Sequence, residues 1–337
     1  MLPVQRPWKR SVPISPNGPR EQGLSRCCTI SLRQKITLFL KDIKEDNYFC
    51  YIPISNIIVE KIYEFGAIRI IPYKFIEQEL SSDGFDDEMI KFCLEKTEER
   101  NHFNAYIKIS LSGADPQFIK ENAIISVNEL INILQAFKYK IFTYQGVALR
   151  SQSYITFNAS KKSLSVDKKA LDHNLFNKPI IFKEFSSRFP IEKVLEPNKY
   201  EKKFYNIKQA LLWLGISEGV HEYYLKLLYR VIALESLFIN GEQSGAKFII
   251  AEKCAFLLET EYEKRLELFN FILDIYKLRN NIAHGSFDST IQIFTIEKLF
   301  DIIFKSILMI TFNDNIKSIE QLSQINLELK FGKKLEQ

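Results

Sequence analysis

The chain changes texture near its middle. From about residue 35 to 190, short apolar stretches rich in Ile, Phe and Tyr alternate with turn residues: YFCYIPISNIIVE, FGAIRIIPYKFI, AYIKISL, KIFTYQG, SYITFNAS and KPIIFKEF. Runs of this length, bounded by Gly, Pro, Asn and Asp, predict β-strands. Two segments of helical period interrupt them. DDEMIKFCLEKTEER carries acids in its first turn and Arg100 in its last, and SVNELINILQAFKY opens on a Ser126…Glu129 capping box. This half reads as a mixed α+β domain, and it holds no Gly-rich phosphate loop, no Walker pattern and no H-E-x-x-H.

Beyond Pro197 there is no further proline, and the apolar period becomes helical. Asn198 with Glu201 predicts the start of a first helix, on which Phe204, Ile207, Leu211 and Leu214 share a face. Ser217 is placed to cap the second helix, YYLKLLYRVIALESLF, and NGEQSG leads to the third, AKFIIAEKCAFLLE. Thr260 and Glu263 box the fourth, YEKRLELFNFILDIYKLRNNIAH, which Gly285 ends, and IFTIEKLFDIIFKSILMITF is the fifth. Five helices on short connections predict an α-helical bundle. The expected fold class is therefore α+β: a basic, disordered arm over residues 1–34, a mixed α+β recognition domain over 35–193, and an all-α bundle over 198–325.

Charge narrows the partners. The first 34 residues hold Arg6, Lys9, Arg10, Arg20, Arg26 and Arg33 against Glu21, which accounts for the whole net charge of +5. Residues 35–198 carry 22 basic and 22 acidic side chains, and 199–337 carry 18 of each. A large basic face is thus excluded by composition, so any nucleic-acid contact in the body must be a local constellation. A DNA-binding regulator is disfavoured on the same ground, together with the lack of a helix-turn-helix whose second helix is basic. Cys27, Cys28, Cys50, Cys93 and Cys254 form no C-x-x-C pair and no ligand spacing with the four His. That pattern predicts reduced thiols in a soluble, cytoplasmic protein with no metal centre and no cofactor. His102, His173 and His221 read as surface residues, and the Lys161, Lys162, Lys168 and Lys169 group reads as a solvated turn.

The most polar cluster of the helical half lies at the end of its fourth helix, in YKLRNNIAHGS. On a wheel of about 100° per residue, Phe271, Ile275, Leu278 and Ile282 form the core stripe, and Asn280 and His284 lie nearly opposite it. Leu273 and Tyr276 share the side of Asn280 and His284. A second semi-apolar face on one helix suggests another subunit. Arg279 sits between the faces, so its long stem is needed to bring the guanidinium toward the imidazole. Read without context, an Arg five residues before a His is a solvated helix end, with the His near the negative pole of the dipole. Asn280 and Asn281 are nevertheless weak helix formers inside a strong helix, which sets the cluster apart.

LRNNIAHG resembles the R-x4–6-H motif of HEPN domains. ALLWLG, YRVIALESLF, a helix ending in AFLL, and IYKLRNNIAHG follow in the order and spacing of the Apea-like HEPN branch, over about residues 200–312. Where that branch often has an Arg in its third helix, this chain has Glu252 and Lys253. The resemblance implies a metal-independent endoribonuclease that acts as a homodimer through the helix bearing Arg279 and His284. RNA would be its substrate, an antitoxin or regulatory protein its partner, and prokaryotic defence or a toxin-antitoxin response its setting. His284 suits proton transfer at neutral pH, and Arg279 suits gripping phosphate oxygens while staying charged. Asn280 would orient either group, and Glu235, matching the Glu of the family's Ala-Leu-Glu segment, would support the site through Arg279 or Lys253. The competing expectation is a HEPN dimer that has lost the chemistry and serves as a nucleotide-binding, RNA-binding or protein-interaction scaffold.

Overall fold

The computed structural model describes residues 46–98, 104–138, 142–143, 154–158, 163–167, 179–240, 245–285 and 292–331. The arm expected over 1–34, Arg100, His102, His173 and the Lys161–Lys169 group lie outside the described residues.

Strands β1 (Asp46–Ser55), β2 (Ile57–Ile58), β3 (Tyr63–Phe65) and β4 (Ile68–Pro72) are followed by helices α1 (Ile76–Ser82) and α2 (Asp87–Glu98). Then come β5 (Ala105–Gly113), α3 (Pro116–Gln135), β6 (Phe142–Thr143), β7 (Tyr154–Asn158), β8 (Ser163–Asp167) and β9 (Ile180–Ile181). The main sheet is antiparallel, in the order β3-β4-β5-β1-β7-β8, with β6 paired to the end of β1. β2 and β9 form a separate parallel pair.

Alternation along the central strands sends side chains to both faces. Tyr48, Cys50, Ile52 and Ile54 of β1 join Ile107 and Ile109 of β5 against Ile119, Ala123, Val127 and Leu130 of α3. On the other face Tyr51, Ile71 and Tyr106 form a small separate core with Ile76 and Leu80 of α1, Phe85 of the turn that follows, and Cys93 of α2. Lys108, between two apolar neighbours in β5, points into this second layer. Its ammonium meets Asp83 at 2.6 Å and Glu79 at 3.5 Å, and lies 4.7 Å from the centre of the Phe49 ring.

After α4 (Phe182–Arg188) and α5 (Ile191–Leu195), the helical half is built from α6 (Lys203–Gly219), α7 (Tyr223–Phe238), α8 (Ala246–Leu258), α9 (Tyr262–Ala283), α10 (Ile293–Phe312) and α11 (Ile319–Lys330). Its core is continuous with that of the sheet: the buried residues of β1, β5, α3, α6, α7, α9 and α10 form one cluster. α3 is the shared layer, lying between the sheet and α6. The two helices approach closely at Gly215, where an added Cβ would fall 1.8 Å from the Asn132 carbonyl oxygen.

The α+β class and the five helices are present, but several ends differ from the sequence reading. α3 begins ten residues before Ser126, because Asp115 caps it by accepting from the Gln117 N–H (2.9 Å) and Pro116 occupies its first turn. Ser126 is inside the helix, donating to the Asn122 carbonyl at 3.0 Å. Ser217 caps nothing, being buried in the last turn of α6, and α7 starts after Glu222. Thr260 does not box α9, whose N-cap is Glu261 without a side-chain bond. KPIIFKEF is a strand only at Ile180–Ile181 and then turns into α4. Among the described residues no helix is long and apolar enough to cross a membrane.

Candidate functional site

The end of α9 is set by a glycine. Gly285 adopts a left-handed φ of 81° and its N–H donates to the Ile282 carbonyl (3.0 Å), which stops the helix. His284 is the capping residue, with its own N–H donating to the Asn280 carbonyl at 3.0 Å. Its imidazole is exposed at the C-terminal end of the helix. Asn280 and Asn281 are exposed, and Arg279 is half-buried.

The Arg279 guanidinium donates to the Asn280 side-chain oxygen at 3.3 Å. No ion pair joins it to a carboxylate among the described residues, so its charge is not neutralised within the site. The structure thus brings Arg279 and Asn280 together. No hydrogen bond links the His284 ring to either of them among the described residues.

Glu235 lies half-buried one turn before the end of α7. Neither of the partners suggested by the sequence pairs with it. Lys253 is buried, and its ammonium donates to the Phe238 carbonyl at 2.8 Å, satisfying the open end of α7. Glu252 turns outward to Lys330 (2.5 Å). The Glu-Lys pair that stands where the Apea-like branch often has an Arg is therefore spent on packing α8 against α7 and α11.

What Glu235 does face is Tyr276. Burial, and then the negative Glu235 carboxylate, push the Tyr276 phenol well above its ordinary range, while the Arg279 guanidinium pulls it the other way. The phenolic oxygen is buried, and among the described residues its one polar approach is to the Glu235 carboxylate. Tyr276 therefore belongs to the interior of its own subunit, and the second face drawn on the helical wheel for α9 is partly used within the monomer. The observed core stripe is Leu268, Ile272, Ile275, Tyr276 and Ile282, with Phe271 and Leu278 half-buried beside it.

Another buried cation of the bundle escaped the sequence reading. Arg230 is fully buried, and its guanidinium donates to the Ile296 carbonyl, to Glu218 (2.7 Å), to Glu297 (3.1 and 3.2 Å) and to Ser217 (3.3 Å). A lone Arg inside the apolar run of YRVIALESLF was the available signal. Its partners tie α6, α7 and α10 together, so its role is structural. His221 is exposed, and among the described residues no group of His, Cys, Asp and Glu is arranged to hold a metal ion. No family model, curated protein or solved structure matches the chain.

Proposed function

We propose that the helical half is a HEPN-type endoribonuclease module, and that Arg279 and His284 cleave RNA by promoting attack of a ribose 2′-OH on the adjacent phosphorus. The observation that carries this reading is the end of α9. A guanidinium with no acidic partner among the described residues and an exposed imidazole stand five residues apart there, with Asn280 between them and hydrogen-bonded to the Arg. Had the motif survived only as packing, both side chains would be expected beneath neighbours. Instead His284 and Asn280 face solvent.

In this mechanism Arg279 binds two phosphate oxygens with its planar fork and absorbs the charge that builds on the phosphorane. His284 takes the proton of the 2′-OH or gives one to the leaving 5′-oxygen. One subunit supplies one imidazole, and separate acid and base need two. A homodimer that faces two copies of the motif across a groove supplies both. Half-exposed apolar side chains on α6 (Trp213, Ile216) and on α7 (Leu225, Leu228, Tyr229, Ile232) support association, and Trp213 stacks on Tyr229 with ring centres 5.9 Å apart. Glu235 continues the α7 stripe one turn beyond Ile232, so this face adjoins the motif. The sheet half then acts as a recognition domain, and restraint by a partner protein in a defence response follows from the family resemblance alone.

The test compares wild type with His284→Ala on mixed RNA with a metal chelator present. The reading expects cutting by the wild type, RNA ends carrying cyclic phosphate, and no cutting by the variant. Cutting that survives in His284→Ala would remove the imidazole from the chemistry. An intact dimer that binds RNA without cutting it would favour the scaffold.

A further inference from the structure

A cavity of about 390 Å³ opens where the end of α3, the helix α4 and the second half of α10 meet, a volume within the range of small-molecule pockets. Five phenylalanines line it: Phe137 just after α3, Phe185 and Phe189 of α4 and its cap, and Phe304 and Phe312 of α10. Phe137 is the hub, meeting Phe185, Phe189 and Phe304 edge to face with ring centres 4.9, 4.7 and 5.1 Å apart. Phe189 meets Phe312 in the same way at 6.5 Å. Such contacts hold the rings at steep angles to one another. Packing does not close the space: Phe137, Phe304 and Leu308 are only half-buried, and Phe312 is 57% exposed.

The cavity also carries two charges. Glu184 and Arg188 line it, one turn apart on α4 with the acid on the N-terminal side, the order in which such a pair interacts best. Yet no ion pair or hydrogen bond joins their charged groups to each other or to any other side chain among the described residues. Both are exposed. No described lining residue belongs to α9, so this is a different place from the Arg279 and His284 terminus.

We infer that this cavity binds a free amino acid with a large aromatic side chain: the ring enters among the phenylalanines, the Arg188 fork donates to the α-carboxylate, and the α-ammonium donates to Glu184. The ring would remove the open surface of Phe304, Leu308 and Phe312 from water and add aromatic contacts. The two charges select the class. An aromatic acid without an amine would satisfy Arg188 but set a second anion beside Glu184, and an aromatic amine would leave the guanidinium unused. A zwitterion on an aromatic body answers all three features.

Calorimetric titration of the full chain tests this with L-tryptophan, tryptamine and indole-3-propionate, and with L-phenylalanine, phenethylamine and 3-phenylpropionate. Within each set the ring is the same and only the charges differ. At least one of the two amino acids should bind, and roughly tenfold more tightly than the amine or the acid that lacks one of its charges, the size of one charge-assisted hydrogen bond. Arg188→Gln and Glu184→Gln should each weaken that amino acid by a similar factor, and Glu184→Gln should cease to prefer it over the matching acid. Both side chains are exposed and unpaired among the described residues, so the fold is not at stake in either variant. Failure of both amino acids to bind, equal binding across a set, or wild-type affinity in either variant would overturn the inference. Each of these outcomes leaves the ribonuclease reading standing, because cutting of RNA is measured separately.

Discussion

Gly215 of α6 crosses the backbone of Asn132 in α3 so closely that a single methyl group has no room: its carbon would sit 1.8 Å from the carbonyl oxygen. This crossing joins the sheet half to the helical half. In an ordinary helix, replacing Gly by Ala gains about 1 kcal/mol. Here the methyl meets backbone, which cannot rotate away, and the helices must separate. Gly215→Ala is expected to lower stability by about 2 kcal/mol or more, the cost of overpacking a tight core. Urea denaturation measures it, and a midpoint at or above that of the wild type would contradict the crossing.

The crossing also shows why the sequence divides more sharply than the molecule. The change from short alternating runs to helical periodicity near Pro197 is real, and α8 and α10 fall where their apolar spacing puts them. Periodicity says which face of α6 is apolar but not what that face meets, so the continuity of the core through α3 is invisible along the chain. Helix starts failed for a related reason. Ser126, Ser217 and Thr260 have the right side chains for caps, yet Asp115-Pro116 opens α3 earlier and Ser217 is needed inside, against Leu214 and Arg230. In the candidate site the Arg279, Asn280 and His284 spacing and the Gly285 stop were legible because they are local. The Glu235 and Tyr276 approach was not, because it joins two helices.

Lys108 illustrates a charge that alternation cannot interpret. In AYIKISL it looks like an outward polar position, but it is buried between Asp83 and Glu79, with Arg69 also on Glu79 at 2.7 Å. Removing it leaves two nearly buried carboxylates short of a cation. Lys108→Ala is expected to cost about 3 kcal/mol, as for breaking a buried ion pair from one side. A denaturation midpoint unchanged in the variant would show that solvent reaches this layer.

Arg230 carries a pH dependence with a definite sign. Burial by itself would raise the Glu297 pKa, but the Lys138 hydrogen bond and the Arg230 guanidinium outweigh it and hold the carboxyl below the ordinary range. The folded state therefore binds that proton less readily than the unfolded chain. The resulting stabilisation is present above the ordinary carboxylate range and is lost as pH falls through the lowered value. Urea midpoints measured from about pH 7 down to about pH 3 should fall more steeply in the wild type than in Glu297→Gln. Equal slopes would remove Glu297 from the acid response. Arg230→Met, which strips the buried cation from Glu218 and Glu297 together, should cost about 3 kcal/mol at neutral pH.

Asn326 is the opposite case. Both atoms of its carboxamide are buried on α11, and neither has a hydrogen-bond partner among the described residues. Replacing an unsatisfied buried amide by an apolar side chain of similar size removes a desolvation cost, so Asn326→Leu should raise stability by about 1 kcal/mol. A lower thermal midpoint in this variant would mean that the amide has a partner in solution.

The account turns on whether Arg279 and His284 act on a phosphodiester through its neighbouring 2′-OH. The direct measurement is end-group analysis of one RNA oligonucleotide and its uniformly 2′-O-methylated copy after incubation with purified wild-type protein. The account predicts that the RNA is cut to fragments bearing 2′,3′-cyclic phosphate and 5′-hydroxyl ends and that the methylated copy stays whole, because its nucleophile is blocked. Cleavage of the methylated strand, or 5′-phosphate ends on the products, would contradict it.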